Sequence, residues 1–260
     1  MPSTDPARTL PPSGELRPIG RLVEASNATF LCAYDTPDGE VHVVYKPSAG
    51  EAPLWDFPPR TLAQREVAAY ELSRAAGFGV VPETVMVADG PAGPGSVQRW
   101  LDDEAATPDL VVLVPRKRVP EGWFPIVAGV DQDERPVALV HADDPRLRRL
   151  ALFDVIANNA DRKGGHVLVH AGGVYGCDHG VCFHDEPKLR TVLWGWAGRT
   201  LTDEELALVA AARSDGADAV SVLLAPREVA ALVARCDEVL GTGRFPEPGD
   251  RWPVIPWPPL

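Results

Sequence analysis

Strand-like alternation dominates the first hundred residues, and helical periodicity takes over after residue 144. Arg21-Leu22-Val23-Glu24 and Thr29-Phe30-Leu31-Cys32 are short β-type runs flanking Ala25-Ser26-Asn27-Ala28, whose polar pair suits a hairpin turn. Thr36-Pro37-Asp38-Gly39 is a turn signal feeding Val41-His42-Val43-Val44-Tyr45-Lys46. Period two puts His42, Val44 and Lys46 on one face of that strand and Val41, Val43 and Tyr45 on the other. Thr61-Leu62-Ala63-Gln64 has the form of a capping box, opening a helix that stops at Gly77 with Glu66 in its second turn. Residues 80–87 and 95–101 read as two further strands around a Gly/Pro turn. Residues 105–143 alternate short apolar runs with Pro and Gly and predict no definite element.

Asp144-Pro145 caps a helix over 146–159. Residues 166–169 and 174–177 form a hairpin across Ala171-Gly172-Gly173, and 202–213 and 226–240 are amphipathic helices. This order predicts an α+β, bilobal fold: a flexible arm over 1–17, an antiparallel-sheet N-lobe with one helix over 18–103, and a mainly helical C-lobe over 104–260 carrying the hairpin. The polar Asp102-Asp103-Glu104 would be the hinge, and the Pro/Trp-rich 251–260 an extended strap. At 260 residues the chain can bury two cores.

Composition narrows the partners. A net charge of −12 argues against nucleic acid and against an anionic membrane surface, both of which attract basic patches. No run approaches the about twenty apolar residues that span a bilayer, and Met1-Pro2-Ser3-Thr4-Asp5 has no basic or apolar leader character. Cys32, Cys177, Cys182 and Cys236 follow no framework spacing, as expected of reduced thiols in a cytoplasmic protein.

The chemistry concentrates in Asp161-Arg162-Lys163-Gly164-Gly165-His166 and Cys177-Asp178-His179-Gly180. Phosphoryl transfer needs one carboxylate to orient the attacking hydroxyl and another to hold a divalent cation. Asp161 fits the first task, with Lys163 offsetting charge on the transferred group and Arg162 structuring the loop. Antiparallel pairing across the hairpin brings His166 and Asp178 to one end of the ladder, where both can hold a metal. A competing pattern is a zinc site, because His166, His170, His179 and His184 share a short stretch with Cys177 and Cys182.

Asp161-Arg162 with Asp178-His179-Gly180 one hairpin later resembles the phosphatidylinositol 3/4-kinase-like atypical kinases and their HipA-related neighbours. Lys46-Pro47, Gly50-Glu51, Pro53-Leu54-Trp55-Asp56-Phe57-Pro58 and Arg65-Glu66-Val67-Ala68-Ala69-Tyr70 are similar to an actinobacterial branch of that superfamily, over most of the chain after the arm. The resemblance implies a protein-kinase-like fold using ATP with Mg²⁺ or Mn²⁺ to phosphorylate a hydroxyl. Lys46 would reach the nucleotide phosphates, held by Glu66, with Ser26, Asn27, Trp100 and Leu101 also at the nucleotide.

His166 stands where that group carries a metal-binding Asn; imidazole suits Mn²⁺ or Zn²⁺ better than Mg²⁺. The departure makes a nucleotide-binding pseudokinase the alternative to an enzyme. Between Asp178 and Trp194 only Lys188 and Arg190 are basic, too few to grip a phosphoinositide headgroup, so the expected substrate is a small-molecule or protein hydroxyl.

Overall fold

In the computed structural model, which describes residues 10, 14–22, 28–36, 39–101, 109–250 and 253–260, the alternating segments pair into one antiparallel sheet. Its strands are β1 (Leu16–Arg21), β2 (Phe30–Thr36), β3 (Gly39–Pro47), β4 (Thr84–Gly90) and β5 (Gly93–Arg99), in the order β1-β2-β3-β5-β4. Val43 and Tyr45 of β3 are buried with Cys32, Tyr34 and Val97, the apolar face that period two predicts. Lys46 sits opposite Ser96 of β5 with its side chain on the other face, toward helix α1 (Leu62–Ala75).

Three local expectations are corrected. Strand β1 starts at Leu16, inside the expected arm, and Leu10 is buried with Leu16 in the sheet's core, so apolar anchoring outweighs the Pro-rich composition. The strand predicted over 80–87 begins at Thr84, because Val80 and Val81 are spent on the other core. Thr61 does not cap α1. Its own backbone is near-helical (φ −114°, ψ −4°), and its hydroxyl donates to the Pro58 carbonyl at 2.7 Å. The Glu51 carboxylate takes the helix's free N–H groups instead, from Leu62 at 3.1 Å and Ala63 at 2.9 Å. The Ser26/Asn27 turn and the 102–104 hinge lie outside the described residues.

Residues 105–143, which predict nothing definite, contain a second antiparallel sheet: β6 (Val111–Pro115), β7 (Trp123–Val130) and β8 (Pro136–Ala142), ordered β6-β8-β7. Only β8 is substantially buried, so the outer strands lack the alternation that betrays a core face.

Helix α2 (Pro145–Ala157) follows, with the Asp144 side chain accepting from the Arg146 N–H at 2.8 Å and Asn158 closing it at φ 53°. The hairpin β9 (Val167–His170) and β10 (Gly173–Gly176) comes next. Helix α3 (Asp203–Ala211) opens with a Thr202/Glu205 capping box and runs through a wide turn into α4 (Ala217–Val220), before α5 (Pro226–Thr242).

The architecture is α+β: an antiparallel sheet with one helix, then a mainly helical half carrying a hairpin. Ala68, Ala69 and Leu72 of α1 bury in the large core built by α2, α3 and α5, not in the smaller core of the five-stranded sheet. Arg65 of α1 locks this packing. Its guanidinium pairs with Glu228 of α5, donates to the Cys182 carbonyl at 2.6 Å and lies 4.8 Å from the Phe57 ring centroid. All four cysteines are free. Among the described residues no helix is long and apolar enough to cross a membrane.

Candidate functional site

Strand β3 ends at the site because its period puts Lys46 on the α1 side. Lys46 Nζ lies 2.5 Å from Glu66 Oε1 and 2.9 Å from Asp178 Oδ1. The other Glu66 oxygen accepts the His179 backbone N–H at 2.9 Å, so one buried carboxylate fixes both the lysine and the loop carrying Asp178. The loop bends sharply: Asp178 has φ 58°, a left-handed conformation that Asp tolerates better than most residues.

Asp161 is set by a buried network below it. Its N–H donates to Asn159 Oδ1 at 2.9 Å, and Asn159 Nδ2 donates to Asp154 Oδ1 at 2.9 Å. Arg162 binds the same Asp154 from Nε at 2.8 Å and Nη2 at 3.0 Å, and donates from Nη1 to the carbonyls of Cys177 (2.7 Å) and His166 (3.1 Å). Arg162 Nη2 also lies 2.7 Å from His179 Nε2. A guanidinium only donates, so Nε2 accepts and the His179 ring is neutral with its proton on Nδ1. Asp154, Arg162 and His179 are wholly buried. The neighbours of Asp161 and Asp178 in sequence therefore touch each other. Gly176 leaves room for this, since a Cβ there would stand 2.7 Å from Arg162 Nη2.

The electrostatics sort the carboxyls. Lys46 holds Asp178, whose side chain is half-exposed, well below the usual carboxylate range. Burial pushes Glu66 up against the pull of Lys46, and pushes Asp161 up against the pull of Lys163. Burial opposes the Lys46 charge, but Asp178 and Glu66 outweigh it and keep the ammonium above its ordinary range. His166 is pushed down to about 4 by burial, with Asp178 pulling the other way. His179 is driven well below its usual value by burial and by Arg162.

Lys46, Glu66, Asp161 and Asp178 line one cavity of about 160 Å³, whose apolar wall includes Leu54 and Leu62. Lys163 Nζ stands 3.4 Å from Asp161 Oδ2 and His166 Nε2 3.5 Å from Asp178 Oδ2, at the edge of this group. Trp100 and Leu101 do not line the cavity; the Trp100 N–H is spent on the His42 carbonyl at 3.0 Å.

Among the described residues no three or more His, Cys, Asp or Glu side chains gather as a metal cage. The histidine-rich stretch is dispersed by function: His179 accepts from Arg162, while His184 accepts the Glu186 N–H at 3.0 Å and lies 3.0 Å from the Asp56 carbonyl. Cys182 is buried in the core. The competing zinc pattern is not assembled among the described residues.

Sequence reasoning misses Asp154, Asn159 and Glu51. Asp154 had a visible signal, an acid set within the apolar stripe Leu150-Ala151-Leu152-Phe153-Val155-Ile156. Glu51 had none, because its helix lies eleven residues further along the chain.

No protein-family model matches the chain. Among solved structures it is similar to a proinflammatory kinase, CtkA of Helicobacter pylori, with TM-score 0.47 and 10% identity over 88% of this chain and 92% of that one. Among curated proteins it is 47% identical over 258 residues to Protein Rv2133c of Mycobacterium tuberculosis (strain ATCC 25618 / H37Rv), covering 94% of this chain and 92% of that protein. Identity at that level across nearly the whole of both chains makes this protein a member of the Rv2133c family.

Proposed function

We propose that the protein is an ATP-dependent phosphotransferase acting on the hydroxyl of a small molecule or protein. The observation that carries this reading is Lys46 bridging Glu66 and Asp178 in a cavity that Asp161 also lines. A half-buried cation tethered by one buried carboxylate and shared with a second, more exposed one is poised to exchange the second for a phosphate oxygen. Asp178, half-exposed, and His166, whose Nε2 lies 3.5 Å from Asp178 Oδ2, would hold the divalent ion. Such an ion, when bound, neutralises phosphate charge.

Asp161 accepts the proton of the attacking hydroxyl in this reading, helped by a carboxyl raised through burial. Lys163 beside it offsets charge on the transferred group. Ser26, Asn27, Trp100 and Leu101 remain proposed nucleotide contacts, with a first lobe that takes in β1 from Leu16 and runs to 103, a second over 104–260, and a cytoplasmic location. Among the described residues the lining is acidic with Lys46 its one cation, which disfavours an anionic lipid headgroup.

His166 in place of an amide ligand favours a second reading, a pseudokinase that binds nucleotide without turnover. ATP binding and hydrolysis by purified protein with Mg²⁺ and with Mn²⁺, beside Asp178→Asn, separates them. Metal-dependent binding with turnover, both lost in the variant, supports the enzyme; binding alone supports the pseudokinase; no nucleotide binding with either metal refutes both.

A further inference from the structure

The loop carrying Asp161 is held from outside by the last residues of the sequence. The Gly164 N–H donates to the Pro259 carbonyl at 2.8 Å. A Cβ on Gly164 would overlap Leu260 Cδ2 and stand 3.1 Å from Val111 Cγ1, so Leu260 occupies the space that a larger residue would need. Gly164 has no left-handed φ, and an alanine there is opposed by these contacts alone. The same segment is tied down at its start. The Val254 carbonyl accepts the Thr191 N–H at 3.0 Å and Trp194 Nε1 at 2.8 Å, and Ile255 packs against the large core. Thr191 in turn bridges to Arg162: the Arg162 N–H donates to the Arg190 carbonyl at 3.0 Å, and the Val192 N–H donates to the Arg162 carbonyl at 3.1 Å.

We propose that residues 253–260 form a strap that positions the Asp161–His166 loop, with Pro259, through its carbonyl, as the positioning residue for Asp161 and Leu260 filling the space against Gly164. Between Asp161 and His166 the chain carries two adjacent glycines, a stretch with little stiffness of its own. Arg162 fixes the loop from the buried side, and the strap supplies the matching restraint from the outer side. Only the benefit to Asp161 chemistry rests on the phosphotransfer reading; the restraint of the loop does not.

Hydrogen exchange of residues 161–166, compared between the full chain and a chain ending at Asp250, tests the restraint without nucleotide. Loss of the strap is expected to speed Gly164 exchange about tenfold, the effect of one ordinary hydrogen bond, while α2 stays protected. A second set keeps the test sharp if the truncation unfolds: Gly164→Ala alone, and Gly164→Ala with Leu260→Ala. The single variant is expected to loosen the loop and lower kcat by about tenfold or more, with ATP affinity within about twofold, and the second substitution to recover most of both. Unchanged exchange in the truncated chain, or a Gly164→Ala protein no looser than the parent, overturns the strap. If the parent binds no nucleotide, the phosphotransfer reading falls and the exchange data still decide the strap.

Discussion

Asp154→Ala is the most informative single substitution away from the cavity. It removes a wholly buried carboxylate that accepts from Arg162 Nε at 2.8 Å, Arg162 Nη2 at 3.0 Å and Asn159 Nδ2 at 2.9 Å. The guanidinium left behind is also wholly buried and cannot shed its charge. Breaking a buried pair from one side costs about 3–5 kcal/mol, because desolvation of the remaining ion is no longer offset. Against a total stability on the order of 5–15 kcal/mol that is a large share. At about 2–4 °C per kcal/mol for a chain near this size, the melting temperature is expected to fall about 6–20 °C. Urea unfolding by circular dichroism checks the free energy, with an unchanged m-value showing that the denatured state is not responsible. Adding Arg162→Met to Asp154→Ala removes the orphaned charge, so the double variant is expected to be more stable than the single one. A single variant within about 1 kcal/mol of the parent, or a double variant less stable than the single by the full Arg162 cost, would refute the claim that this pair organises the loop.

Other outcomes follow from the same geometry. Lys46→Met is expected to abolish metal-dependent ATP binding in a titration and, by stranding the buried Glu66, to destabilise the protein more at pH 8 than at pH 5, where that carboxyl can take up a proton. His166 is depressed from 6.5 to about 4, so between those values the unfolded chain binds more protons than the folded one. Stability should therefore rise with pH across that window and be lost as pH falls through it; His166→Gln should remove about one proton's worth of the slope in pH-dependent denaturation. Glu51→Ala is expected to cost about 1 kcal/mol by freeing two N–H groups at the start of α1, and a thermal melt unchanged at low salt would contradict the cap.

The parts of the site legible in the sequence are those governed by local periodicity. Alternation in β3 places Lys46 on one face, and helical spacing puts Glu66 on the inner side of α1; the two meet as expected. The hairpin likewise follows from Gly172-Gly173 and its flanking apolar runs, and it carries His166 to within 3.5 Å of Asp178. What the sequence hides is set by long-range packing. The cap on α1 comes from Glu51, whose role depends on how the 51–60 connection folds back. Sheet β6-β8-β7 has two outer strands with little burial, and so little pattern to read. Asp154 looks like an interruption of an apolar stripe until Arg162 arrives from the far side of a loop.

The seating of α1 bears on how such a protein can be switched. Displacing that helix would strip Ala68, Ala69 and Leu72 from the large core and separate Arg65 from Glu228 and Glu66 from Lys46. Moving the helix would therefore give up apolar burial and two ion pairs in a single step. The helix is tied at once to the large core through Arg65 and to the cavity through Glu66. Any change that spares the Lys46–Glu66 pair would have to act on what enters the cavity or on the loops that carry Asp161 and Asp178.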